Sequence, residues 1–555
     1  MRNFASSTTS WLAIGRSPRR PLVLSGAFAA WILLSGLSGA AAGQCLPVVV
    51  GNQDGNYLVP GVRGEIVYRR VNGAALALDA YVQQTGDRRP AVVVVHGGNW
   101  DTGSRVAFTG QFLELLTRAG YNWFSVDYRL NGLARFTEAV DDIRAAVEFV
   151  RCHATEFRID PDNVALLGED AGGQLALWLG AEAPAGVRAV VSIGGLYDLA
   201  DVAGLKTHPA ELLARASPAS RDLPQMPPVL AIHGGGDSEV PPNQAEKFCV
   251  AVSRAGRSCE FLAVEDAIHR PENWRPSQWG YKARLTAWLA KTLRLPAASH
   301  TPYVTRLQKD VLFSPSHGLA LDAWAPAGPG PFPAVIIAHG GGWEAGDKVT
   351  YVTPLLEPLA KAGFAWFSID YRLTPEFRNQ DQLDDLREAV RFVRANAQRF
   401  RIDPRRIAIL GESASGQMVA QLATDPIDGV AAVVSFYGVY DFLQMTASFA
   451  PRSVPARLFG LTAMNAEARD VLTRFSPLHQ AKRGMPPLLL VQGTADRLHA
   501  QALAFSARLD QLGTDYERHD VAGAPHGIEN WEGHPEWMPY KKALVDWLAR
   551  KLAVP

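Results

Sequence analysis

The chain has 555 residues, with 55 Lys and Arg against 55 Asp and Glu, 47% hydrophobic and 20% charged residues, and four Cys. That length and apolar fraction allow two or more domains with substantial cores, and they exclude a disordered tail, a disulfide-dense miniprotein and a collagen-like chain. Because charge is balanced and no long basic run follows the first forty residues, nothing supplies the field a phosphate backbone requires, and no nucleic-acid partner is expected.

Arg16, Arg19 and Arg20 precede an uncharged stretch from Pro21 to Gly43 that closes on Ala40-Ala41-Ala42, the order of a secretory signal peptide. Residues 1–43 are expected to be removed, leaving a periplasmic or secreted chain with no stable membrane insertion. An uncleaved anchor is the alternative, since the stretch approaches spanning length, but its Gly, Ser and Ala content favours cleavage. Arg19-Arg20 is a weak twin-arginine pattern, and Gln44 before Cys45 argues against a lipoprotein. Cys45, Cys152, Cys249 and Cys259 allow three pairings, of which Cys249 with Cys259 across an Ala-Gly turn is the best placed.

The rest of the chain is a duplication. Asp141–Gln174 aligns without a gap with Asp384–Gln417, 21 of 34 positions being identical, at an offset of 384 − 141 = 243. The same offset pairs Val126-Asp127-Tyr128-Arg129-Leu130 with Ile369-Asp370-Tyr371-Arg372-Leu373, and His96 with His339. Each copy is a complete domain. The expected boundaries are 44–297 and 298–555, joined at the Pro/Ala/Ser-rich stretch around Leu295.

Within the second copy, apolar runs at Ala334–Ala338, Phe364–Ile369, Ile407–Leu410, Val430–Ser435 and Pro487–Val491 read as buried parallel strands. Between them Leu383, Leu386, Val390 and Val393 mark one face of a helix, as Val140, Ile143, Val147 and Val150 do in the first copy. Strands alternating with helices predict an α/β fold whose ligands bind at the carboxyl ends of the strands.

Four motifs sit at those ends in the second copy. Gly411-Glu412-Ser413-Ala414-Ser415-Gly416 joins a strand to a helix as a nucleophile elbow does. His339-Gly340-Gly341-Gly342-Trp343 is a glycine loop whose N–H groups, at Gly340 and Gly341, can join that of Ala414 in an oxyanion hole. Asp496 and His526 follow in later loops, so the chain order is Ser, Asp, His. The reading is Ser413 as nucleophile, His526 as proton carrier and Asp496 as the group that orients it.

On these motifs the second copy resembles the α/β-hydrolase superfamily, specifically the carboxylesterases that include BD-FAE-type acetyl and feruloyl esterases and hormone-sensitive-lipase-like enzymes. The resemblance covers both halves. It implies two tandem α/β-hydrolase domains, each a mostly parallel sheet with helices on both faces. It implies ester hydrolysis through an acyl-enzyme on a small-molecule or polymer-linked ester, with no cofactor and no metal. Ser415 departs from the family, which has Gly there. A peptidase or amidase of the same fold, and a tandem ligand-binding protein without catalysis, are the alternatives.

In the first copy Asp170 stands where the second has Ser413, while Gly97, Gly98, Asp237 and His269 persist. A degenerate, non-catalytic domain is expected, with Asp170 paired to a protonated His269; an Asp nucleophile is the rival reading. Four further expectations concern single features. Glu412 either tunes the site or supports its loop. Tyr440-Asp441 is structural, recurring as Tyr197-Asp198. His499, His519 and His534 are surface residues. The 16 extra residues between Asp441 and Asp496 form an apolar cap that either touches the substrate or only packs.

Overall fold

The computed structural model describes residues 45–53, 57–84, 86–296, 306–425, 429–446, 450 and 453–553. The expected signal segment 1–43 and the expected boundary at 297/298 lie outside the described residues. Two sheets of eight strands are present. The first contains β1 (Val62–Val71), β2 (Ala74–Tyr81), β3 (Arg89–Val95), β4 (Asn122–Val126), β5 (Ile159–Glu169), β6 (Val187–Ile193), β7 (Val229–Gly234) and β8 (Cys259–Val264). The second contains β9 (Leu307–Ser314), β10 (Leu319–Trp324), β11 (Phe332–Ala338), β12 (Ala365–Ile369), β13 (Ile402–Glu412), β14 (Val430–Phe436), β15 (Leu488–Gly493) and β16 (Tyr516–Val521).

Strand order is β1-β2-β4-β3-β5-β6-β7-β8 in one sheet and β9-β10-β12-β11-β13-β14-β15-β16 in the other. In both, the second strand pairs antiparallel with each of its two neighbours, and every other pair is parallel. These are the two tandem α/β domains that the sequence implied. Parallel strands need covering on both faces, and β3 shows how the sequence meets that need. Its Val92 and Val94 enter one core, while Val93 and Val95 enter another, as the two-residue period of a strand dictates.

One of these cores belongs to both copies. Val92, Val94, Leu113 and Leu116 of the first copy lie in the same buried cluster as Val335, Ile337, Leu355 and Leu359 of the second. The helices Gly110–Ala119, Gly280–Leu293, Thr353–Lys361 and Pro539–Lys551 all contribute residues to it. The contact is reciprocal. Arg118 pairs with Asp310 at 2.7 Å, and Lys361, its equivalent at the offset of 243, pairs with Glu65 at 3.2 Å. Glu65 and Asp310, 310 − 65 = 245 apart, hold the same place in the two hairpins, each left-handed (φ 56° and 55°) with its N–H donating to Asp79 or Asp322. The two copies thus meet as the subunits of a two-fold dimer do, within one chain. Disulfides join Cys45 to Cys152 and Cys249 to Cys259.

Candidate active site

β13 ends at Glu412, Ser413 turns with φ 53° and ψ −111°, and the helix Ala414–Thr424 begins at once. A left-handed non-glycine residue costs about 1–3 kcal/mol and persists only where its surroundings over-determine it. Here the Ser413 N–H donates to the Phe436 carbonyl at 2.9 Å and the Ser413 carbonyl accepts from Gln417 at 3.1 Å. The flanking glycines are required by space, because a Cβ at Gly411 would lie 2.3 Å from the Ser415 carbonyl oxygen and one at Gly416 2.6 Å from that of Phe436. Ser415 fits the turn through its hydroxyl. Its Oγ accepts from the Glu412 N–H at 2.8 Å and donates to the Ala338 carbonyl at 2.7 Å, tying the elbow to the end of β11.

The structure brings the three separated residues together. Ser413 Oγ lies 2.8 Å from His526 Nε2, and His526 Nδ1 lies 2.7 Å from Asp496 Oδ2. Asp496 also accepts from the Leu498 N–H at 2.9 Å and from Gln492 Nε2 at 3.0 Å. Burial alone would raise its pKa; the hydrogen bond and charge of His526 and these donors outweigh that and hold the carboxyl below its ordinary value. Asn530 Nδ2 donates to the His526 carbonyl and Trp531 Nε1 to that of Pro525, which fixes the histidine loop. A hydroxyl, imidazole and carboxylate joined in this way can pass a proton from the hydroxyl to the ring while the oxygen attacks an electrophile.

In the glycine loop the Gly340 N–H donates to Oε1 of Glu412 at 3.3 Å. In the first copy Asp170 Oδ2 accepts from the N–H groups of Gly98 and Asn99 at 3.0 and 3.1 Å. Their equivalents at the offset of 243 are Gly341 and Gly342. Gly341 has φ 103°, and a Cβ on it would lie 2.1 Å from the Ala345 carbonyl oxygen. His339 supports the loop. It stacks on Tyr371 at 4.2 Å, its Nδ1 lies 2.7 Å from the Gly340 carbonyl, and burial lowers its pKa to about 4.

Ser413, His526 and the loop open onto a cavity of about 210 Å3. Its walls include Tyr351, Tyr437, Glu529 and Asn530 of the second copy, together with Phe108, Arg270, Glu272 and Asn273 of the first. The sequence reading missed all of these. Part of the signal was present in the repeat, since Phe108 pairs with Tyr351 at the offset of 243. His269-Arg270-Pro271-Glu272-Asn273-Trp274 likewise parallels His526-Gly527-Ile528-Glu529-Asn530-Trp531. Glu412 supports the loop: besides Gly340, its Oε2 accepts from the Tyr437 hydroxyl at 2.6 Å, and that hydroxyl accepts from the Ile528 N–H at 2.9 Å. Burial pushes the Glu412 carboxyl up to about 8 and drives Glu529 upward as well.

None of the described residues of the insertion lines this cavity. Phe442 and Leu458 are buried in the outer core of the second copy, and Leu443, Met445, Phe459, Leu461 and Met464 pack against it. Tyr440 is fully buried; its hydroxyl bonds Ser435, and the Tyr440 and Asp441 N–H groups both donate to Gln501. His499, His519 and His534 are half-buried and stand outside the cavity.

The first copy reproduces the array with Asp170 in place of Ser413. Asp170 has φ 48°; His269 Nε2 lies 3.2 Å from its Oδ1, and His269 Nδ1 lies 2.8 Å from Asp237 Oδ2. His233, standing where the second copy has Gln492, places Nε2 3.0 Å from Asp237. Burial alone would lower the His269 pKa, but its bonds to Asp170 and Asp237 raise it to about 10. Against their own burial, both aspartates are held well below the carboxylate range by those histidine bonds. The Gly97 N–H turns to Glu169, as Gly340 turns to Glu412. A hydrogen-bonded imidazolium between two carboxylates has no free lone pair with which to accept a proton.

Residues 78–185 and 321–509 match the model of the BD-FAE family. The chain belongs to the BD-FAE family. Among curated relatives, esterase LipC of Mycobacterium tuberculosis is 29% identical over 43% of this chain and 63% of its own length. Carboxylesterase NlhH of the same organism is 28% identical over 38% of this chain and 70% of its own length. The chain thus spans less than two thirds of LipC. A solved truncated carbohydrate esterase from gut microbiota is 25% identical, with a TM-score of 0.40, covering 46% of this chain and 99% of its own. Among the described residues, no helix of this BD-FAE member is long and apolar enough to cross a membrane.

Proposed function

We propose that this BD-FAE member is a carboxylic-ester hydrolase that works through an acyl-enzyme on Ser413. The observation that carries the reading is the Ser413, His526, Asp496 relay at 2.8 and 2.7 Å, held on a strained turn and facing a cavity. In acylation, the Ser413 oxygen attacks the ester carbonyl while its proton passes to His526 Nε2. The N–H groups of Gly341, Gly342 and Ala414 receive the tetrahedral oxyanion. As the intermediate collapses, His526 protonates the departing alcohol; water then repeats the sequence and releases the acid. The relatives LipC, an esterase, and NlhH, a carboxylesterase, point the same way.

In this reading the first copy is non-catalytic, because Asp170 fills its own oxyanion loop and is ion-paired to His269. Residues 1–43 act as a secretory signal and the mature chain works in the periplasm or outside the cell, a setting in which its two disulfides persist. The copies run from 44 to 297 and from 298 to 555.

The test is labelling with a fluorophosphonate followed by peptide mass spectrometry. One adduct, on the Ser413 peptide, is expected. The Ser413→Ala protein should lose both the adduct and p-nitrophenyl acetate turnover with its melting temperature kept within about 3 °C, the shift that less than 1 kcal/mol produces. Wild-type turnover in that variant, or an adduct on Asp170, overturns the assignment.

A further inference from the structure

Equivalent positions in the two copies differ most usefully one residue after the histidine. The second copy has Gly527, with φ 94°, and the first has Arg270, with φ −93°. The glycine leaves space beside His526. The arginine reaches across the contact between the copies and lines the same cavity as Ser413 and His526. Its guanidinium lies over the Phe108 ring at 5.6 Å, a distance at which the ring face attracts and orients a cation. It pairs with Glu272 at 3.8 Å, an electrostatic contact longer than a hydrogen bond.

We propose that Arg270, supplied by the nucleophile-free copy, is a specificity residue of the Ser413 site and binds a carboxylate carried by the ester substrate. This rests on the hydrolase reading of Ser413. Three observations favour it over a purely structural role. First, the planar fork of a guanidinium matches a carboxylate in two parallel hydrogen bonds, and its position over Phe108 holds that plane. Second, burial pushes Glu272, Glu412 and Glu529, the acids that share the cavity, toward their neutral forms, which weakens their hold on the guanidinium. Third, among the other acids whose charge reaches it, Glu169, Glu239 and Asp170, the last is engaged by His269. The duplication then has a physical rationale. The first copy exchanged its nucleophile for a locked ion pair and lends a cation to the copy that retained its serine.

The experiment compares matched anionic and neutral esters. 4-Acetoxybenzoate is paired with its methyl ester, which places the charge on the alcohol side. Mono-4-nitrophenyl succinate is paired with 4-nitrophenyl butyrate, which places it on the acyl side. In at least one pair, kcat/KM for the anion relative to its neutral partner should fall about tenfold or more in Arg270→Gln, as loss of a charge-assisted contact predicts. Arg270→Lys should restore part of that ratio, because the charge returns without the fork. A ratio within a pair is independent of the folded fraction. If it is unchanged in Arg270→Gln for both pairs, Arg270 only stabilises the contact and the inference is overturned. The same anion preference, read by calorimetry as binding to the Ser413→Ala protein with and without Arg270→Gln, separates the two readings. Preference without turnover by the wild type overturns the hydrolase reading alone; turnover without preference overturns the role of Arg270 alone.

Discussion

Asp170 and Ser413 occupy the same left-handed turn, with φ of 48° and 53°, each facing a histidine Nε2. One side chain is a neutral hydroxyl at 2.8 Å from its imidazole and the other an anion at 3.2 Å. An anion on the elbow recruits and holds a proton on the ring, whereas a hydroxyl leaves the ring able to accept one. The positive φ of the turn is retained in both copies.

Asp170→Asn should release His269. Its pKa, about 10 in the native protein, should fall by at least one unit when followed by NMR titration of the ring protons, since the first of the two partners that raise it is lost. The variant should also be less stable at pH 7 by about 1–3 kcal/mol, a buried charge-assisted bond being removed. Because the folded pKa of His269 lies above its unfolded value of ~6.5, that stabilisation is complete below pH 6.5 and disappears as pH rises through about 10. Wild-type and variant unfolding curves should therefore converge at high pH. An unchanged titration would show that Asp170 is not the partner.

Glu412 should impose an alkaline limit on turnover. Its carboxyl, pushed up to about 8 by burial, is neutral at lower pH and ionises as pH rises, beside the loop that receives the oxyanion. A negative charge there opposes charge development, so kcat/KM for p-nitrophenyl acetate should decline above pH 8. Glu412→Gln keeps an acceptor for the Gly340 N–H and cannot ionise. Its profile should lose that decline; a decline of equal size in the variant would assign the limit to another group.

The shared core, more than the ion pairs at its rim, should hold the copies together. Leu355 is fully buried in the common cluster, and Leu355→Ala should cost about 2–5 kcal/mol in urea unfolding. Arg118, 56% exposed where it meets Asp310, should cost less than about 1 kcal/mol as Arg118→Ala. Comparable losses would mean that the common cluster contributes little.

The insertion of the second copy should act on stability and leave chain-length selection alone. Phe459 meets Phe442 at 4.9 Å and Phe475 at 5.1 Å, away from the Ser413 cavity. Phe459→Ala should lower stability by about 1–3 kcal/mol, the usual range for lost packing. The ratio of butyrate to acetate ester turnover should stay within twofold of wild type. A larger shift in that ratio would place the insertion at the substrate.

What the sequence by itself determined was everything with a local or periodic signature. The repeat at 243, the apolar runs of the strands, the helix face at Leu383, Leu386, Val390 and Val393, and the Ser, Asp, His order are all set by neighbours along the chain, and so they were legible. The exchange of Ser413 for Asp170 was visible for the same reason. Tertiary structure alone decided what those faces are buried against. Periodicity tells that Val92 and Val335 are covered, and only packing makes them cover one another's domains. Gly340 and Gly342 are indistinguishable in the motif, and the direction of each N–H follows from the backbone turn and from Glu412, 72 residues away in the chain. Arg270 reads as one loop cation among many until the contact between the copies sets it in the Ser413 cavity. Desolvation, which moves Glu412 and outweighs nothing at an exposed site, depends on atoms gathered from both copies; no window of sequence contains them.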